Sequence, residues 1–122
     1  MAHPKTALVV DDSRVSRLIA HQCILSKKAG WSVEEADSGE AALQKAALSA
    51  PALILLDVNM PGMGGLAAAV QLRELCPATH ICLLTANVQN ATRERAAEIG
   101  VAFMEKPISE ARIHELLTTL EE

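Results

Sequence analysis

Along this chain short apolar runs alternate with longer stretches of helical period. Thr6 to Val10, Ser32 to Ala36, Leu53 to Leu56, His80 to Leu84 and Ala102 to Met104 are short runs of three to five residues, most of them apolar, and they predict five strands. Between and after them the spacing predicts five helices. The last is marked by Ile113, Leu116, Leu117 and Leu120 at i, i+3, i+4 and i+7, with Ser109 just before it as an N-cap. The first is predicted over about Ser13 to Ala29, with Val15, Leu18, Ile19 and Leu25 toward one side and Gly30 as its stop. The second spans about Gly39 to Leu48, the third Gly65 to Cys76 ahead of Pro77, and the fourth Asn90 to Ile99 ahead of Gly100. The fourth is strongly polar, anchored only by Ala96, Ala97 and Ile99, so it is expected to dock least tightly.

Leu53-Ile54-Leu55-Leu56 has no polar alternation, which requires a strand covered on both faces. Five repeats of strand then helix supply the covering layers and demand right-handed crossovers. The expected fold is therefore a doubly wound α/β sandwich on a parallel sheet.

Composition sharpens that picture. At 122 residues the expectation is one domain over 1–122, and 50% apolar with only 2% aromatic residues means a core of Leu, Ile, Val and Ala. The net charge of −4 and the scattered basic residues speak against direct nucleic-acid binding. The apolar stretch ahead of Asp11 is too short for a signal-peptide core or a membrane span, so a cytoplasmic protein with no membrane partner is expected. Cys23, Cys76 and Cys82 have no paired spacing and read as small buried hydrophobes; His3, His21, His80 and His114 read as surface or boundary residues.

In an open parallel sheet, ligands bind beyond the carboxyl ends of the strands. There the chain places Asp11 and Asp12 after the first strand, Asp57 after the third, Thr85 after the fourth and Lys106 after the fifth. Three gathered carboxylates raise one another's pKa unless a cation compensates, and Mg²⁺, which takes a few carboxylate oxygens together with phosphate oxygens, is the matching ion. Asp57, from the central strand, is then the nucleophile for a phosphoryl group. Lys106 and Thr85 can each engage one of its oxygens. Taken singly, these residues have plainer explanations, such as helix capping, a turn or a solvated charge. Their joint placement on one rim favours the phosphoryl chemistry.

The segments Val9-Val10-Asp11-Asp12-Ser13, Leu56-Asp57-Val58-Asn59-Met60-Pro61-Gly62-Met63, Leu84-Thr85-Ala86-Asn87 and Glu105-Lys106-Pro107 carry a resemblance that spans essentially the whole chain. The sequence resembles the receiver domains of two-component response regulators, the free-standing chemotaxis type included. The resemblance implies a flavodoxin-like (βα)5 fold with strand order 2-1-3-4-5. It implies phosphorylation of Asp57 by the phosphohistidine of a histidine kinase or phosphotransfer protein, with Mg²⁺ held by Asp11, Asp12, Asp57 and the Asn59 carbonyl. A cis Lys106–Pro107 peptide is implied as well. So is a switch in which Thr85 and the aromatic position, here Phe103, remodel the face of the fourth helix, fifth strand and fifth helix for a downstream protein target. The same resemblance makes the chain a phosphoacceptor and not a turnover enzyme, either a monomer or a weak phosphorylation-dependent dimer.

Two features depart from the family pattern or tune it. Gly64 stands where an acidic residue is common. Asn59 and Asn87, each two residues past Asp57 and Thr85, occupy the positions that set the rate of dephosphorylation; neither amide can serve as a general base, which suggests a long-lived acyl phosphate. The rival readings are an aspartyl-phosphate phosphohydrolase, which needs a second acid where Asn59 stands and a cap domain, and a phosphorylation-independent adaptor of the same fold. A flavin-binding version lacks both a phosphate loop after the first strand and aromatic partners.

Overall fold

The computed structural model describes residues 5–60, 62–86 and 89–119. In chain order the elements are β1 (Thr6–Val10), α1 (Arg14–Lys27), β2 (Ser32–Ala36), α2 (Gly39–Leu48), β3 (Leu53–Asp57), α3 (Gly64–Leu75), β4 (His80–Thr85), α4 (Asn90–Ile99), β5 (Ala102–Glu105) and α5 (Glu110–Thr119). The five strands form one parallel sheet in the order β2-β1-β3-β4-β5. The α/β doubly wound fold and its strand order are thus as the sequence led us to expect.

Two apolar layers sandwich the sheet. On one side Leu8, Val10, Ile54, Leu56, Ile81 and Leu83 meet α2 and α3 through Ala42, Ala46, Ala68, Ala69 and Leu72. On the other, Val9, Leu53, Leu55, Cys82 and Leu84 meet α1 and α5 through Ala20, Ile24, Ile113 and Leu117. Residues Leu53 through Leu56 are all fully buried, as a central strand with both faces covered must be. Alanine dominates the faces of α2 and α3 that touch the sheet, with no bulky side chain but Leu72 among those buried there. The three cysteines are buried and unpaired, and burial pushes the Cys82 thiol up to about 12.

Several local expectations need correction. The apolar side of the first helix that carries Val15, Leu18 and Ile19 is not the buried one: these are 67%, 52% and 45% exposed, and the buried side is Ala20, Cys23 and Ile24. Both triplets have the i, i+3, i+4 spacing, and packing on β1 and α5 selects the narrower one. That helix stops at Lys27 with Lys28 as its C-cap, before Gly30. The third, fourth and fifth strands each run one residue further than the apolar run, to Asp57, Thr85 and Glu105, because the parallel ladder continues through Val58 N–H to Leu84 O (2.9 Å) and Lys106 N–H to Thr85 O (2.7 Å). α4 buries only Ala96, in line with its polar sequence. Leu120, named for the last helix, and His3 lie outside the described residues.

Candidate functional site

The register of the sheet brings the strand ends to one rim. Val10 pairs with Ala36 and Leu56, Asp57 with Leu84, and Thr85 with Glu105, so residues 11, 57, 85 and 106 all leave the sheet at the same edge. Ser13 caps α1 by accepting the Ser16 N–H (3.2 Å), which starts the helix there and leaves Asp11 and Asp12 on the preceding turn. Asp11 Oδ1 accepts the Ser13 N–H (2.9 Å), an Asx-type contact that fixes its carboxylate toward the rim.

Asp11, Asp12 and Asp57 each place a carboxylate oxygen within 4.8 Å of the others. Asp11 and Asp57 are buried, at 1% and 4% exposure, while Asp12 is open to solvent. Lys106 reaches into this group from the loop after β5: Nζ lies 2.9 Å from Asp11 Oδ2 and 3.3 Å from Asp57 Oδ1. The Asn59 N–H approaches Asp57 Oδ1 at 3.4 Å, and the Lys106–Pro107 peptide is cis.

Electrostatics follow from this crowding. Burial and the neighbouring Asp11 charge push the Asp57 carboxyl above its ordinary range, against the pull of Lys106 and the Asn59 N–H. Burial works to lower the Lys106 ammonium, yet the two carboxylates outweigh it and hold it above its ordinary value. One ammonium therefore does not offset the negative charge of the group. Three hard oxygen donors with surplus negative charge fit a small divalent cation, and the donor chemistry suits Mg²⁺.

Thr85 is buried at the end of β4, one residue past the partner of Asp57. Phe103 lies partly buried on β5 against the α3-side core, and the Arg93 guanidinium of α4 sits 5.2 Å from its ring centroid. Phe103 thus stands apart from the carboxylates in the α4-β5-α5 region. Asn59 is exposed beside Asp57, and Asn87 lies outside the described residues.

Two contributors to the site escape sequence reasoning. Gly65, in the first turn of α3, leaves no room for a side chain: a Cβ there would lie 2.1 Å from the Asp57 carbonyl oxygen, so only glycine lets the helix close over the end of β3. Gly64 has φ +77°, a left-handed conformation that explains a glycine where the resemblance led us to expect acid. The other contributor is Arg17, whose Nη1 donates to the Asp11 carbonyl at 2.7 Å. Nothing in its spacing distinguishes it from any exposed helical arginine.

Comparison with known proteins agrees with the fold. The family model for the response regulator receiver domain matches residues 7–118. The chain is 31% identical over 115 residues to the chemotaxis protein CheY of Thermotoga maritima, covering 93% of this chain and 94% of that protein. It is 34% identical over 106 residues to the transcriptional regulatory protein ResD of Bacillus subtilis, covering 86% of this chain but only 42% of ResD. Among solved structures, the chemotaxis protein CheY4 of Vibrio cholerae superimposes with a TM-score of 0.87 at 27% identity, covering 97% and 99% of the two chains. A CheY-like receiver domain protein from Methanospirillum hungatei, with a TM-score of 0.90 at 22% identity, shares the fold.

Proposed function

The chain belongs to the response regulator receiver domain family of two-component signalling, and from that premise we propose that Asp57 accepts a phosphoryl group from the phosphohistidine of a histidine kinase or phosphotransfer protein. The observation that carries this is the convergence of Asp11, Asp12 and Asp57 within 4.8 Å, with Lys106 bridging Asp11 and Asp57. A carboxylate oxygen of Asp57 attacks the phosphorus, the P–N bond of the donor breaks, and its electron pair returns to the imidazole nitrogen. Asp11, Asp12, Asp57 and the Asn59 carbonyl would hold Mg²⁺, which when bound would supply positive charge to offset that of the phosphoryl group. Lys106 is already in the rim and exchanges part of its carboxylate contact for a phosphoryl oxygen. The Thr85 hydroxyl, at the end of the neighbouring strand, takes another.

The donor docks over α1. Val15, Leu18 and Ile19 are exposed on that helix, and Ile19 also lines an apolar cleft with Ser16, Ala86, Lys106, Pro107 and Ile108, directly beside the acceptor rim. Such an exposed apolar cluster next to a nucleophile supports protein contact there. Output leaves by a different route, through Thr85, Phe103 and the α4-β5-α5 face to a downstream protein. The light anchoring of α4 supports that route. In this reading residues 1–122 form one receiver, a phosphoacceptor acting in the cytoplasm without direct nucleic-acid contact, and Asn59 and Asn87 leave the acyl phosphate slow to hydrolyse.

Intact mass after incubation with acetyl phosphate or phosphoramidate tests the proposal. With Mg²⁺ we expect a single phosphoryl adduct, absent in EDTA and absent from Asp57→Asn. An adduct that persists in Asp57→Asn would move the acceptor elsewhere, and steady turnover of a phosphate monoester would favour a phosphohydrolase.

A further inference from the structure

The peptide that joins Asp11 to Asp12 is held from outside the rim. Its carbonyl, Asp11 O, accepts a 2.7 Å bond from Arg17 Nη1. On the other side of Asp11, the N–H donates to Ala36 O (3.1 Å), while the two carboxylate oxygens take the Ser13 N–H and Lys106 Nζ. Of these contacts, the Arg17 bond is the one that points the Asp11–Asp12 peptide plane. That plane sets ψ of Asp11 and φ of Asp12, and hence the direction in which the exposed Asp12 carboxylate leaves the backbone.

Arg17 is itself held in place. Its Nε donates to Glu35 Oε1 at 3.0 Å, and Glu35 Oε2 faces His21 Nδ1, also at 3.0 Å. Glu35 lies on β2 paired with Val9 of β1; Arg17 and His21 stand one helical turn apart on α1. The Arg17 side chain is only 16% exposed, and its guanidinium fork is fixed between a carboxylate on one strand and a carbonyl at the end of the next. Burial works to raise the Glu35 carboxyl, but the bonds from His21 and Arg17 prevail and hold it below its ordinary range.

Resting on the metal reading above, we infer that Arg17, oriented by Glu35, is a positioning residue for the divalent-metal site: it fixes the Asp11–Asp12 peptide so that both carboxylates face the ion before it arrives. Partners that orient metal ligands without touching the metal commonly carry a large share of the affinity. Here charge and geometry pull in opposite directions, which makes the role measurable. Arg17 is a cation close to the site, so removing it by charge alone would tighten binding of Mg²⁺. Removing it as an orienting group would weaken binding.

The experiment is calorimetric titration of the full chain with Mg²⁺, comparing wild type with Arg17→Met, Arg17→Lys and Glu35→Gln, beside urea unfolding of each. For Arg17→Met we expect affinity weakened by roughly tenfold. Arg17→Lys should show a smaller loss, because an ammonium can reach the carbonyl or Glu35 but does not span both. Glu35→Gln, which keeps the arginine charge and the side-chain shape, should weaken binding in the same direction. Exchange of the Ser13 amide in the metal-free protein should quicken in Arg17→Met while amides of β3 keep their protection. Unchanged or tighter Mg²⁺ binding by folded Arg17→Met overturns the inference, leaving Arg17 a tie between α1 and β2 that shows only in the urea midpoint. Should Arg17→Met not fold, unchanged binding by Glu35→Gln overturns it equally. Absence of Mg²⁺ binding by the wild type would instead overturn the metal reading, and this positioning role with it.

Discussion

β3 contains two regions of similar burial and opposite character. Leu53 to Leu56 are fully buried and apolar, whereas Asp57, the next residue, is nearly as enclosed at 4% exposure yet carries a carboxylate. The leucines gain from leaving water and have partners on both sides of the sheet. Asp57 loses hydration and gains the Asp11 charge as a neighbour, compensated in part by Lys106. The strand thus spends on its last residue part of the stability that the four before it provide, and the site is built where the fold is strong enough to hold it.

The largest effect that sharpens this contrast is expected at Leu55. Leu55→Ala opens a void in the α1-α5 side of the core and should cost about 2–5 kcal/mol in urea unfolding. The folded fraction should still form the Asp57 adduct, because the rim keeps all its residues. A loss of adduct out of proportion to the unfolded fraction would show that core and site are one unit and break the comparison.

Next in size is the metal. At free Mg²⁺ about a hundred times its Kd, binding to the native state should add ~2.7 kcal/mol to stability. The wild type should show that gain in its urea midpoint and Leu55→Ala should show the same gain from its lower base. Asp57→Asn, lacking one of the three carboxylates, should show clearly less. Equal stabilisation of Asp57→Asn would mean that the ion lies elsewhere.

The smallest expected effect is on pH dependence. The folded-state pKa of Asp57 lies above the unfolded value, so between the two the native state binds more protons than the unfolded chain. Its contribution to stability therefore grows as pH falls through the raised folded pKa toward the ordinary carboxylate value of 3.8, and is lost as pH rises. In metal-free protein, urea midpoints from pH 7 downward should drop less steeply for the wild type than for Asp57→Asn, which lacks this term. Identical slopes would place Asp57 in a more hydrated setting than its burial implies.

The fold was legible because its signals are local and repeated. The unbroken apolar run at Leu53–Leu56 and the β-then-α alternation needed no tertiary information to announce a covered parallel sheet, and the strand-end rule then placed Asp11, Asp57, Thr85 and Lys106 on one rim. The buried face of α1 was not legible, for the opposite reason. Val15-Leu18-Ile19 and Ala20-Cys23-Ile24 have the same helical spacing, and periodicity cannot choose between two equivalent stripes on one helix. The choice falls to packing against the sheet and α5, which takes up Ala20, Cys23 and Ile24 and leaves Val15, Leu18 and Ile19 outside.

By itself, then, the sequence determined the element order, the apolar centre of the sheet and the residue types at the strand ends, since each depends on neighbours along the chain. The tertiary structure decided which side of α1 is buried, that Lys106 already bridges Asp11 and Asp57, that only glycine fits at position 65 against the Asp57 carbonyl, and that Arg17 reaches the Asp11–Asp12 peptide. All four are contacts between segments distant in sequence or set by close packing. Their geometry exists only once the helices have closed over the sheet.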